Sequence, residues 1–212
     1  PEARAIHPPI AMQPADPAAT NAGWSQLAAM LYAWSPLCGW IPAEASSATA
    51  RDARAMLDPY AAPVLWVDIA GTERLHGPEP TVLRGIEAQL ADAGYTGFLA
   101  VADTLAAARA AALVLAVEAQ SGWRSGTGTP PAESRLYRIP PGRTIEALGN
   151  VTVAALRIDG ATLEALTDLA LTTIADVLRI ERAVRSARFG PGLTQRLDEL
   201  CGRSPEPVVP QP

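Results

Sequence analysis

The chain has 212 residues, of which 49% are hydrophobic, and it carries a formal net charge of −5. That is enough apolar material for one large or two small packed domains. The negative balance argues against broad electrostatic binding of nucleic acid, which depends on neutralising phosphates. No apolar run approaches the ~20 residues that span a bilayer, and the acidic, proline-rich start lacks the apolar core of a signal peptide. A cytoplasmic protein without membrane contact is therefore expected. Cys38 and Cys201 stand far apart with no C-x-x-C pair, and there are only two histidines. We expect buried free thiols, no metal site and no cofactor.

Residues 1–17 are proline-rich, with a short extended piece expected at 9–13. From Asn21, a plausible N-cap, Trp24, Leu27, Leu31 and Trp34 fall on one helical face, and Pro36 ends that helix. Leu37 to Ile41 suits a short strand. An alanine- and serine-rich insert follows, with a helix expected over 49–57. The apolar run Val64 to Ala70 reads as a buried strand that ends in a glycine turn and leads to a helix start at Pro80. Val82, Leu83, Ile86 and Leu90 form that helix's stripe, and Gly94 stops it.

A further strand is expected from Thr96 to Ala102, and Asp103 then caps an alanine-rich helix to about Ala119. Ser121 to Pro131 reads as a loop, and Trp123 within it is a candidate anchor for a protein partner. Leu136 to Ile139 is extended, and everything beyond Pro140-Pro141-Gly142 looks helical in short pieces. Thr173-Ile-Ala-Asp176 has the spacing of a capping box, and Phe189-Gly-Pro-Gly192 separates two helices. Ser204 to Pro212 is expected to be a flexible tail.

Three stretches carry a resemblance. Leu65-Trp-Val-Asp68-Ile-Ala-Gly71, followed by Leu75-His76-Gly77, is similar to "LLLD-I-T-G…HLFGGE" and to "AYLDVTG". Leu99-Ala-Val-Ala-Asp-Thr-Leu-Ala-Ala-Ala-Arg109 is similar to "AIADTPGAAWALAR". Val153 to Arg157, Leu171 to Leu178 and Arg188 to Asp198 look like "VAALRL…LGLRTIGDLL…RFGPALLRRLD". Together they resemble the ImuB family of catalytically deficient, Y-family DNA polymerase-like proteins.

The resemblance implies an α+β fold. Residues 1–140 would be a ferredoxin-like palm remnant lacking its first, central strand, with the end of the fingers at its start. Residues 141–203 would be a small all-helical thumb of helix-hairpin-helix type, and 204–212 a tail. It implies a non-catalytic scaffold in translesion DNA synthesis and damage-induced mutagenesis. The partners would be a RecA-like ImuA, the sliding clamp and an error-prone polymerase subunit. Two other readings stay open, an active translesion polymerase fragment and a free-standing helical DNA-binding module.

Two-metal nucleotidyl transfer needs clustered carboxylates. By the resemblance, the family's Asp-Glu pair falls on Pro63 and Val64, neither of which binds metal, and no catalytic residue is expected. Asp68 would bond locally near its turn. The thumb's phosphate-gripping hairpin reads Arg157-Ile-Asp-Gly160-Ala-Thr162, with Arg157 and Asp159 where glycines are expected. Arg157, Gly160 and Thr162 are retained as candidate DNA contacts. Arg182, Arg185 and Arg188 recur every three residues and are candidates for a backbone-contacting stripe. The same spacing also fits a solvated face, because eight arginines meet eight acids between Gly142 and Ser204.

Overall fold

The computed structural model describes residues 16–42, 60, 62–124, 135–208 and 210, with side chains omitted at 120–124. The piece expected at 9–13 and the helix expected over 49–57 lie outside the described residues. Among the described residues the architecture is α+β, with mostly short helices and two small sheets.

The first helix, α1, runs Pro17–Leu31 and starts earlier than the apolar period suggests. Asp16 is its N-cap, its side chain accepting from the Ala18 and Ala19 N–H groups, and Pro17 sits at the first helical position. Asn21 is therefore inside the helix. The helix closes at Tyr32, so Trp34 lies in the following turn, where its ring leaves the helical stripe and packs on Gly85.

Strands β1 (Cys38–Ile41) and β2 (Val64–Val67) pair antiparallel, with Cys38 opposite Val67 and Ile41 opposite Val64. The short α2 (Glu73–His76) and the longer α3 (Glu79–Asp92) follow. Strand β3 (Leu99–Val101) then pairs in parallel with β4 (Leu136–Arg138), across the intervening helix α4 (Leu105–Arg124). Expected strands were longer than observed ones because hydrophobic pattern continues past the paired residues, while pairing ends them. One small core joins Leu31 and Cys38 with Val82 and Ile86 of α3, and Leu65, Val67 and Leu99 pack against it. Helix α3 thus covers strands of both sheets.

Asp103 does not cap α4. Its carboxylate accepts from the Gly142 N–H (2.7 Å), tying the helix approach to the Pro-Pro-Gly turn. Thr104 does the capping, its hydroxyl accepting from the Ala107 N–H (3.1 Å) and donating to the Leu200 carbonyl (3.2 Å). The helix continues to Arg124, which places Trp123 in its last turn and not in a loop.

Beyond β4 come α5 (Thr144–Leu148), a 3-10 turn at Val153–Leu156, and α6 (Gly160–Asp168). Helices α7 (Ile174–Leu178), α8 (Arg182–Phe189) and α9 (Pro191–Leu200) are the last elements among the described residues. The expected capping box is present, with Thr173 and Asp176 each bonding the other's backbone N–H. Gly190, at φ 84°, makes the sharp break between α8 and α9.

The larger core crosses Pro140 without interruption. Ala106, Ala107, Ala110 and Ala111 of α4 pack against Leu148, Leu156, Leu166, Ile174, Val177, Leu193 and Leu197. Alanines let the helices approach closely, so α4 serves as the common wall of both halves.

Candidate functional site

Pro63 and Val64 stand at the entrance and first position of β2, and neither side chain offers a ligand atom. Asp68, past the strand's end, is exposed and its Oδ1 accepts from the Ala70 N–H (2.9 Å), the local turn bond expected of it. Among the described residues no three His, Cys, Asp or Glu side chains group closely enough to hold a metal ion. Cys38 is a buried free thiol donating to the Ala28 carbonyl (3.4 Å), and Cys201 is free and half-buried. Burial pushes both thiols up, which favours the inert protonated form.

The hairpin that should hold phosphate is built differently from an anion site. Arg157 is 5% exposed and sits in left-handed backbone at φ 55°, with its Nη2 donating to the Pro42 carbonyl (2.8 Å). Asp159 is the N-cap of α6, accepting from both the Thr162 N–H (2.9 Å) and the Thr162 hydroxyl (2.7 Å). Those bonds hold its carboxyl below the usual range. A carboxylate thus occupies the helix N-terminus where a phosphate would sit, and Thr162 spends its hydroxyl on it. Gly160 is exposed but begins that same capped helix.

The three-residue arginine spacing does not produce one exposed stripe. Arg185 is 3% exposed, its Nη1 donating to the carbonyls of Val177 (3.2 Å) and Ile180 (3.4 Å). A side chain buried among helix ends cannot reach a phosphate backbone, so Arg185 leaves the candidate set. Arg182 is exposed but pairs with Asp198 (2.7 Å), as does Arg203 (2.8 Å) from the end of α9. Arg188 is exposed and lies over the Phe189 ring, 5.7 Å from its centroid. A period of three rotates around a helix of 3.6 residues per turn, so successive arginines meet different neighbours.

A second polar assembly was not visible in the sequence. Arg109 of α4 is 3% exposed and pairs with Glu206, from the segment expected to be a flexible tail. Arg196 of α9 lies 3.3 Å from Glu199 and 3.7 Å from Glu206. The only local hint was an arginine interrupting an alanine run, since its partner lies 97 residues away. This assembly borders a cleft of about 570 Å³ between Trp40 and Trp66 of the β1–β2 pair, helix α9 and the Glu206–Val208 segment.

Comparison with curated proteins finds two relatives called "Protein ImuB", from two strains of Caulobacter vibrioides. Each is 32% identical to this chain over 145 residues, which is 68% of the chain and 28% of the relative. The chain therefore spans 28% of the length of these relatives. No family model matches it, and a search of solved structures returns no significant match.

Proposed function

We propose, from the premise that the chain is ImuB-like over 145 residues, that it acts as a non-catalytic, polymerase-like scaffold in translesion synthesis and damage-induced mutagenesis. The observation that carries this is the pair Pro63 and Val64 at the start of β2. Nucleotidyl transfer needs several carboxylates holding two divalent ions, and Asp68 is instead bonded to its own turn. Two two-stranded sheets under one helix among the described residues, followed by a helical second half, are compatible with a palm and a thumb.

In this reading the partners are proteins: a RecA-like ImuA, the sliding clamp and an error-prone polymerase subunit. An acidic chain whose hairpin is closed by Asp159 favours them over bare DNA. Arg182 and Arg188 remain the side chains able to make weak DNA contact.

Two assays on the tagged chain test the reading. Purified chain should give no Mg²⁺-dependent primer extension, and extension above background would overturn the non-catalytic assignment. Affinity capture from damaged cells should recover the RecA-like protein or a polymerase subunit. Recovery of neither would remove the scaffold role from these residues.

A further inference from the structure

Helices α8 and α9 and the turn after them bring two exposed arginines to one buried acid. The two carboxylate oxygens of Asp198 are taken separately. Oδ2 accepts from Arg182 Nε (3.2 Å) and Nη2 (2.7 Å), and Oδ1 accepts from Arg203 Nε (2.8 Å). The Arg203 backbone N–H also donates to the Asp198 carbonyl (2.8 Å), which fixes the turn that carries this arginine. Both arginine side chains stay open to solvent, at 69% and 51% exposure, and both line a cleft of about 520 Å³ that Ser186 and Ser204 also border. Asp198 is the only acid among the described residues that line it. The buried guanidinium of Arg185 lies within electrostatic reach of Asp198, Arg182 and Arg203. Three cations thus share one anion.

We infer that this cleft binds the phosphate group of a phosphate monoester. A guanidinium carries five N–H donors in a planar fork that matches phosphate oxygens. Asp198 engages Nε and Nη2 of Arg182 and Nε of Arg203, and Arg203 bonds the Cys201 side chain as well, so each arginine keeps further donors for a ligand. The shared carboxylate holds the two long side chains together in advance, which lowers the ordering cost of binding. Charge selects the ligand class. Two positive charges in excess of Asp198 match a monoester, which carries about −1.5 to −2 near neutral pH, whereas a carboxylate or a phosphodiester brings a single negative charge. A nucleic-acid strand fits less well, because its charges recur and the cations here do not. Along α8, Arg185 is buried and Arg188 lies over the Phe189 ring. This inference uses only α8, α9 and the following turn and stands independently of the polymerase-like reading.

The test is a proton–nitrogen correlation spectrum of the full chain at neutral pH, reading the arginine Nε–H signals during titration with methyl phosphate. Arg182→Gln and Arg203→Gln assign the two signals. Both should shift in a saturable way, with dimethyl phosphate and acetate at least about fivefold weaker. Each variant should bind methyl phosphate at least about fivefold more weakly than the unaltered chain. Arg179→Gln removes the same charge from an exposed arginine paired with Asp176, outside the cleft, and should leave binding unchanged. If a cleft variant unfolds, the comparison of monoester with diester on the unaltered chain still decides. Adenosine monophosphate and N-acetyl-phosphoserine amide then tell a nucleotide source from a phosphorylated protein segment, and tighter binding of either supports the site. No saturable shift, an equal response to dimethyl phosphate or acetate, or displacement of methyl phosphate by a lower concentration of short duplex DNA would each overturn the inference.

Discussion

The guanidinium of Arg157 holds the carbonyl of Pro42 at 2.8 Å, linking the turn before α6 to the end of strand β1. Arg157 does this from left-handed backbone, a conformation that costs a non-glycine residue about 1–2 kcal/mol. The side chain's reach compensates that strain. Arg157→Ala should therefore lose roughly 1–3 kcal/mol in urea unfolding. Arg157→Gly, which relieves the backbone, should lose about 1 kcal/mol less. Equal losses would mean that the left-handed geometry carries no cost here.

Trp34 and Gly85 make a second long-range pair. A Cβ at Gly85 would come within 2.1 Å of the Trp34 ring. That ring is pinned on its other side, because its Nε1–H donates to Gln89 (2.7 Å) and it meets His76 with centroids 5.0 Å apart. Ala is the better helix former in isolation, yet Gly85→Ala should destabilise by about 1–3 kcal/mol through forced displacement of the indole. A thermal melt that matched or exceeded the unaltered chain would contradict this packing.

Asp198 sets an acid-side dependence of stability. Its burial alone would raise its pKa, but the hydrogen bonds from Arg182 and Arg203 outweigh that and hold the carboxyl below the usual range. A group depressed in the folded state contributes its full stabilisation above the unfolded value, near 3.9, and loses it as pH falls through the folded value. Stability should fall as pH drops below about 4. Asp198→Asn should be less stable at neutral pH by roughly 1–3 kcal/mol and show a shallower acid limb. An unchanged limb would place the titration elsewhere.

The cap of α6 makes the simplest local test. Asp159→Ala should cost about 0.5–2 kcal/mol, whereas Asp159→Asn keeps an acceptor and should lose only a fraction of that. Circular dichroism during urea unfolding reads both, and a neutral Ala variant would show that the bond to the Thr162 N–H is dispensable.

Arg182 and Arg185 are three residues apart and should behave differently. Arg185→Ala empties a buried position and leaves two carbonyls without their donor, so a loss of about 2–4 kcal/mol is expected. Arg182→Ala removes one of two arginines on Asp198 from an exposed site and should cost about 1 kcal/mol or less. Comparable losses would put both arginines in the same environment, contrary to the structure.

Local features were legible from the residues alone. The Thr173–Asp176 capping box, the Gly-Pro break after Phe189 and the α3 stripe of Val82, Leu83 and Ile86 all formed where their spacing placed them. Each depends on side chains within about one turn of one another, so nearest-neighbour chemistry determines it. The α+β class and the ImuB-like character were legible for a related reason, since order and pattern survive without knowing contacts.

Tertiary structure alone decided which charges were available. Arg109, Arg157 and Arg185 read as ordinary cations, but each is buried against a partner or carbonyl supplied by folding. A long side chain can lie in solvent or run inward from the same backbone position, and distant neighbours make that choice. The same holds for the parallel pairing of β3 with β4 across a whole helix, and for the meeting of Trp40 with Glu206 at one cleft. Sequence determined where helices and turns could begin. Only packing between residues far apart in the chain decided which side chains remained free to act.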